Sequence, residues 1–329
     1  MNVLSKKNVC IVGYGVIGPV HAKALEETKN AKIYAVCDVD PERMNSCKEQ
    51  YGVVCYTDFY EMLEDKNIDS IHICTPHYLH YEMISAGLKA GKSVVVEKPM
   101  VMTKKEYEML MCTEGVDKVC LVFQNRLNPC VRHLKALVQK QELGKLVCAR
   151  GIVTWNRTKD YYESGAWRGK LATEGGGVLI NQAVHTLDLM NYLAEDIQSV
   201  KAHMANDSLC DIIEVEDTVS AYLKYKGGAT GIFYATNAHG RNNSPDIELV
   251  FENGTARYVD GALSVNNEVV CRDIPAKGEK AYYGLGHGAL LQEYYDYGRY
   301  FSVYDAKNTM EALFAMYESA QSGQEVFLG

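Results

Sequence analysis

The sequence holds no apolar run approaching the roughly 20 residues of a membrane span, so it predicts no membrane partner. Its start, Met1-Asn2-Val3-Leu4-Ser5-Lys6-Lys7, has no long apolar stretch behind a basic beginning, so no signal peptide is expected. It holds no basic block, and the net charge is −8, which argues against nucleic acid as a partner. The 11 cysteines include no C-x-x-C pair. Cys10, Cys37, Cys74 and Cys120 sit inside apolar runs, where a thiol acts as a small hydrophobe. An odd number of thiols of this kind points to a reducing, cytoplasmic setting and not to a disulfide framework. His77 and His80 are three apart with no third ligand in sequence, so no metal is expected. There are no repeats and no low-complexity segments.

What is there reads as two domains. A chain of 329 residues exceeds one ordinary core, and 47% hydrophobic with 23% charged residues is usual for a soluble globular protein. Short apolar runs at Asn8–Val12, Lys32–Cys37, Ser70–Cys74, Ser93–Val96 and Lys118–Phe123 have the Val and Ile content of strands buried on both faces. Helical patterns lie between them. Leu79, Met83, Ala86 and Ala90 make one apolar stripe, and Gly91 stops it. This alternation predicts an α/β fold with a doubly wound parallel sheet over residues 1–124. After residue 124 a helix near Pro129 to Gln141 is followed by strand-like runs without helices between them: Lys145–Trp155, Asp217–Tyr225, Ala229–Thr236, Ile247–Phe251 and Thr255–Val259. Turn signals at Lys226-Gly227-Gly228 and Glu252-Asn253-Gly254 separate some of these. Residues 125–329 therefore read as a second domain with a mainly antiparallel sheet. Its closing helix carries Met310, Leu313, Phe314, Tyr317 and Ala320 on one stripe.

Gly13-Tyr14-Gly15-Val16-Ile17-Gly18 follows the first strand and opens a helix. Gly13 permits the tight turn, Gly15 admits a pyrophosphate to the backbone, and Gly18 lets helix and strand pack closely. Asp38 ends the next apolar run, about 20 positions further on, where a carboxylate accepts hydrogen bonds from the adenosine ribose. A carboxylate there repels a 2′-phosphate, and no arginine follows directly, so NAD is expected in preference to NADP. Thr75-Pro76-His77 follows the strand at Ile71–Cys74, at the end of the sheet where open α/β folds bind ligands. By itself it is only a turn.

These residues together resemble the Gfo/Idh/MocA oxidoreductases. The motifs are Gly13–Gly18 with His21, Thr75-Pro76-His77 with His80, Glu97-Lys98-Pro99, Gln124-Asn125-Arg126-Leu127-Asn128-Pro129, and the run from Glu174-Gly175-Gly176-Gly177 through Asn181 to His185. The resemblance spans nearly the whole chain. It implies an N-terminal Rossmann domain and a C-terminal α/β domain whose open sheet builds a homodimer or homotetramer. It also implies oxidation or reduction of a secondary alcohol on a sugar, sugar derivative or cyclitol. Thr75, Pro76, His77, His80, Glu97, Gln124 and Arg126 then join the glycine loop and Asp38 beside the cofactor.

Moving a hydride from a secondary alcohol requires a base for the hydroxyl proton and a group that stabilises the alkoxide. Lys98 follows a strand at the end facing the nicotinamide crevice, where a cationic ring disfavours its charge and allows it to titrate near neutrality. Pro99 is a candidate for a cis bond. Asn181, His185 and Asp188 share one face of the helix expected after the glycines. The resemblance makes His185 the acid/base and Asn181 a substrate contact. Asp188 either holds the imidazole or belongs to a structural network. Inositol dehydrogenases of the family usually have aspartate where Asn181 stands, which argues against simple myo-inositol chemistry. Trp155, Asn156, Arg157, Tyr161, Tyr162, Trp167 and Arg168 form a cluster that either meets a sugar, rings on its apolar face and arginines on an acid group, or is an ordinary packed loop. Tyr282, Tyr283 and His287 are further candidates. An NAD-dependent glycoside-cleaving enzyme working through transient oxidation is the alternative function, and a non-catalytic NAD-responsive regulator the third.

Overall fold

Six short runs become parallel strands: β1 (Lys7–Val12), β2 (Ala31–Cys37), β3 (Val54–Tyr56), β4 (Ser70–Ile73), β5 (Ser93–Val96) and β6 (Val119–Leu121), and the inner ones are mostly buried on both faces. The computed structural model describes residues 6–274 and 285–329. Among these, the six strands form one sheet in the order β3-β2-β1-β4-β5-β6. Every pairing in it is parallel, and the order reverses between β1 and β4. That reversal opens a crevice at the strands' carboxyl ends, where doubly wound sheets hold ligands. β3 was not expected: three half-exposed residues at a sheet edge carry no periodic signal.

Helices start where local chemistry starts them. Pro41–Tyr51 has Pro41 in its first turn, and Asp40 caps it by accepting from the backbone N–H groups of Glu42 (2.9 Å) and Arg43 (3.4 Å). This cap turns Arg43 back toward Asp38. No helix among the described residues is long and apolar enough to cross a membrane.

A second sheet contains β7 (Leu146–Thr154), β8 (Ile197–Ala205), β9 (Thr218–Tyr225), β10 (Thr230–Thr236), β11 (Asp246–Phe251), β12 (Gly254–Val259), β13 (Ala262–Val265), β14 (Glu268–Arg272) and β15 (Val326–Phe327). The order is β14-β13-β12-β11-β7-β10-β9-β8-β15, antiparallel except for the parallel pair β7–β10. Alternation decides its faces. Val219, Ala221, Leu223, Phe233 and Ala235 are buried, whereas Tyr222, Ile232 and Tyr234 point to solvent. Helices Val184–Leu193 and Lys307–Ser322 supply Leu187, Met190, Met310 and Leu313 to this unit's core.

The chain divides into two compact units, and one finding differs from the expected split at residue 124. Gly286–Asp305 belongs with the first unit, together with the residues up to Val101 and Lys105–Gln124. Helix Gly286–Tyr297 lies in that segment, and its Asp296 carboxylate accepts from the N–H groups of Lys29 and Asn30. Nothing local in this helix says which core it will join.

Candidate active site

The glycine turn closes on itself. Gly13 has φ +88°, and a Cβ there would stand 2.8 Å from the carbonyl oxygen of Cys74. A Cβ on Gly18 would stand 2.6 Å from the carbonyl oxygen of Gly13. Gly15 is different: the nearest atom to an added Cβ is Arg43 Nη1, at 3.9 Å. The turn is thus sealed beneath and open outside, at the N-terminus of helix Gly18–Glu26, a cradle that fits a pyrophosphate. Asp38 is held for its task. Its Oδ2 accepts from Tyr14 N (2.6 Å) and its Oδ1 from Asp40 N (2.9 Å). Arg43 Nη1 lies 3.9 Å from Asp38 and Arg43 Nε 3.2 Å from Asp40. The sequence reading missed this arginine, since only the next helix brings it to Asp38. Val16 is exposed and Ile17 precedes the helix.

Thr75 and Pro76 lead into a single turn at His77–Leu79, and His77 is buried. His80 is fully buried, with Nδ1 2.7 Å from Pro99 O and Nε2 2.9 Å from Thr75 O. Each ring nitrogen faces a carbonyl oxygen and a neutral ring donates to one of them, so His80 sits between two loops, where cofactor contact was expected. The Lys98–Pro99 peptide is cis.

Glu97 also differs from expectation. It is buried, and its Oε1 meets His21 Nε2 at 2.9 Å and His287 Nε2 at 3.4 Å, while Oε2 accepts from Lys98 N at 3.3 Å. Burial alone would raise its carboxyl, but hydrogen bonds from the two histidines hold it well below the usual carboxylate range. Its side chain supports the loop of half-buried Lys98. Gln124 is buried at the start of the turn Gln124–Leu127.

In the second unit, the helix expected after the three glycines begins instead as a π turn, Val178–Gln182, followed by α-helix Val184–Leu193. The Glu216 carboxylate accepts from Gly177 N (2.8 Å) and Leu179 N (3.1 Å), which draws the first turn sideways. The wider turn disrupts the expected 3.6-residue stripe, and its three polar members part company. Asn181 donates through Nδ2 to Glu174 Oε1 at 2.5 Å. Asp188 accepts from Arg126 Nε (2.8 Å), Arg126 Nη2 (2.6 Å) and Thr309 Oγ1 (2.8 Å). Arg126 is therefore locked in a buried pair inside the second unit, where a cofactor contact was expected, and Asp188 is structural.

His185 lines a cavity together with Asn128, Trp155, Gln182, Tyr258 and Asp260. Of the expected substrate contacts, only Trp155 reaches this wall, held by its Nε1 donating to Asn243 O at 2.9 Å. The others hold one another in place. Arg157 donates to Asn242 Oδ1 and lies over the rings of Trp155 and Tyr161. Arg168 donates to Tyr161 OH at 2.6 Å and lies over Trp167. Tyr162 is buried and accepts from Asn237. Asn128, Gln182, Tyr258 and Asp260 were not foreseen. Tyr258 OH donates to Asp273 at 2.6 Å and accepts from Asn128 Nδ2 at 3.2 Å. Tyr282 and Tyr283 lie outside the described residues; His287 belongs to the first unit, on Glu97.

Known proteins share this fold. The NAD-binding Rossmann-fold domain of the GFO/IDH/MocA oxidoreductase family matches residues 7–124, and the family's C-terminal domain matches residues 131–257. The chain belongs to this family and has its NAD-binding domain. It is 26% identical to the levoglucosan dehydrogenase of Pseudarthrobacter phenanthrenivorans over 280 residues, 74% of this chain and 70% of that one. It is 28% identical to the scyllo-inositol 2-dehydrogenase (NAD(+)) of Bacillus subtilis over 254 residues, 74% of this chain and 71% of the relative. Its fold is similar to that of the WlbA dehydrogenase from Bordetella pertussis, solved in complex with NADH and UDP-GlcNAcA. That match has a TM-score of 0.87 and 26% identity, and covers 99% of this chain and 98% of the other.

Proposed function

We propose that this protein is an NAD-dependent dehydrogenase acting on a secondary hydroxyl of a sugar, sugar derivative or cyclitol. The observation that carries the reading is His185 on the wall of a cavity furnished with Trp155, the amides of Asn125, Asn128 and Gln182, a phenol and a carboxylate. An indole ring suits the apolar face of a pyranose or cyclitol, and amide, hydroxyl and carboxylate groups suit its rim of hydroxyls. Arg157 and Arg168 are engaged with neighbouring side chains elsewhere, which favours a neutral polyol over an acidic one.

NAD would be held at the Gly13–Gly18 turn, its pyrophosphate on the turn's backbone and its adenosine ribose on Asp38, and would supply the hydride acceptor. His185 takes the hydroxyl proton at an imidazole nitrogen. Lys98 stabilises the negative oxygen left behind, and Glu97 keeps the backbone of Lys98 in place. The reading includes a homodimer or homotetramer through the outer sheet face, where Tyr222, Ile232 and Tyr234 are 45%, 49% and 37% exposed; sedimentation of the purified protein reads this directly.

The test is NADH absorbance across a panel of neutral sugars, uronates and cyclitols. With the substrate so found, Lys98→Met and His185→Asn each lower kcat by about 100-fold or more. Full turnover in either variant overturns the assignment. Release of an aglycone without NADH accumulation would favour glycoside cleavage instead.

A further inference from the structure

We infer that His72 and Tyr295 are positioning residues, which fix the ring tautomer of His21 so that Glu97, next to Lys98, always receives an N–H and keeps its charge. The inference deepens the reading of Lys98 as a reactive lysine and rests on it.

Four groups stand in single file. Tyr295 OH is 2.8 Å from His72 Nε2, His72 Nδ1 is 2.9 Å from His21 Nδ1, and His21 Nε2 is 2.9 Å from Glu97 Oε1. His72, His21 and Glu97 are 0%, 1% and 6% exposed, so solvent offers them no substitute partners. An ionised carboxylate only accepts, so the proton of a neutral His21 sits on Nε2. His21 Nδ1 then offers a lone pair, and His72 Nδ1–H must donate to it. His72 Nε2 is left as an acceptor, and Tyr295 O–H donates to it. Beside a carboxylate only one order of donors satisfies all three contacts, the one in which Tyr295 donates to His72 and His72 to His21, leaving the His21 proton for Glu97. The reverse order would set a bare His21 Nε2 against a bare carboxylate oxygen. Burial also lowers the proton affinity of both rings, in keeping with two neutral imidazoles.

The chain has a consequence for Lys98. With Nδ1 occupied, His21 cannot take a second proton without breaking its bond to His72. The titratable groups facing His21 are Glu97, His72 and His287. Those around Glu97 are His21, His72, His287, Cys74, His80 and Lys98. Tyr295 faces Tyr294, Cys120 and Asp69 besides Ser70 and His72. If His21 became an imidazolium, it would cancel the charge of Glu97, the carboxylate nearest to Lys98 in the chain. His72 prevents this. Neither His72 nor Tyr295 belongs to a motif, and they come from β4 and from helix Gly286–Tyr297.

The experiment uses the NAD-loaded enzyme and two readouts: histidine ring resonances by NMR against pH, and the pH profile of kcat. In the native protein His21 shows no titration across the pH range of the kcat profile, and its proton is on Nε2. His72→Phe removes the donor to Nδ1. His21 then gains a titration that the native protein lacks, and a matching ionisation enters the kcat profile. Tyr295→Phe leaves His72 Nε2 without its donor, so His72 shifts its proton toward Nε2 and loosens its bond to His21 Nδ1; a His21 titration then appears at lower pH than in His72→Phe, which keeps the test open if His72→Phe does not fold. A native His21 that already titrates, or variants that leave ring and profile unchanged, would overturn the inference. A new His21 titration with an unmoved kcat profile also overturns it, by cutting the link to Lys98. The reading of Lys98 itself fails separately, if Lys98→Met retains turnover. His21, Glu97 and His287 also have ligand atoms within 4.8 Å of one another. A stoichiometric metal ion lost in His287→Ala would claim the Nε2 lone pair of His21, reverse the chain and refute the tautomer assignment.

Discussion

Arg126→Met separates two roles for one arginine. If Arg126 holds the cofactor, its loss weakens NAD binding and spares the fold. The geometry says the opposite. Asp188 is 1% exposed and takes two of its three hydrogen bonds from this guanidinium, at 2.8 and 2.6 Å. Thr309 gives the third, at 2.8 Å. Removing the arginine leaves a carboxylate in a dry interior with one hydroxyl donor. Breaking a buried pair from one side costs about 3–5 kcal/mol. Against a total stability of about 5–15 kcal/mol that is a large share. At about 2–4 °C per kcal/mol for a domain of this size, Tm drops by roughly 6–20 °C. Part of the loss is packing, because Arg126 also lies over the Tyr192 ring, 4.8 Å from its centroid. The double variant Arg126→Met, Asp188→Leu removes both charges and recovers most of the stability. Urea melts followed by circular dichroism give the stabilities, and NADH fluorescence gives the affinity. A loss under about 1 kcal/mol, or a double variant no more stable than the single one, refutes the reasoning.

Two further outcomes follow from the same kind of geometry. Burial raises the Glu174 carboxyl from 4.5 to about 7, against hydrogen bonds from Asn181 and Gly169 and the charge of Arg168. Between those values the folded chain keeps a proton that the unfolded chain has released, so native stability falls as pH rises through this window, by up to about 3 kcal/mol relative to Glu174→Gln. Urea melts of both proteins at pH 5 and pH 8 read the difference, and parallel pH dependences would count against it. Asp38→Ser removes the charge that opposes a 2′-phosphate and leaves Arg43 beside the ribose site, so the NADPH-to-NADH affinity ratio rises about tenfold, or about 1.4 kcal/mol. Fluorescence titration measures the ratio, and an unchanged value would remove Arg43 from the cofactor site.

Legibility followed distance along the chain. The glycine turn, Asp38 and the parallel strands could be read because their chemistry is local. Gly13 and Gly18 are needed because a Cβ at either would stand 2.8 or 2.6 Å from a backbone carbonyl oxygen. β8 escaped notice because its exposed Gln198, Lys201 and His203 interrupt the apolar run. The face of Asn181, His185 and Asp188 was misread because a helix of 3.6 residues per turn was assumed. The π turn depends on Glu216, a residue from further along the chain that no periodicity near Asn181 announces.

Short local motifs were enough for the cofactor cradle and the cofactor's class, and the family resemblance carried in such motifs for the candidacy of Lys98 and His185. Tertiary structure alone decided how the polar groups are shared out. It gave Arg126 to Asp188, Asn181 to Glu174, and Glu97 to His21 and His287. The physical reason is that a buried charge or amide must find its partner wherever packing brings one, and partners 62, 7, 76 and 190 positions apart leave no common trace in sequence.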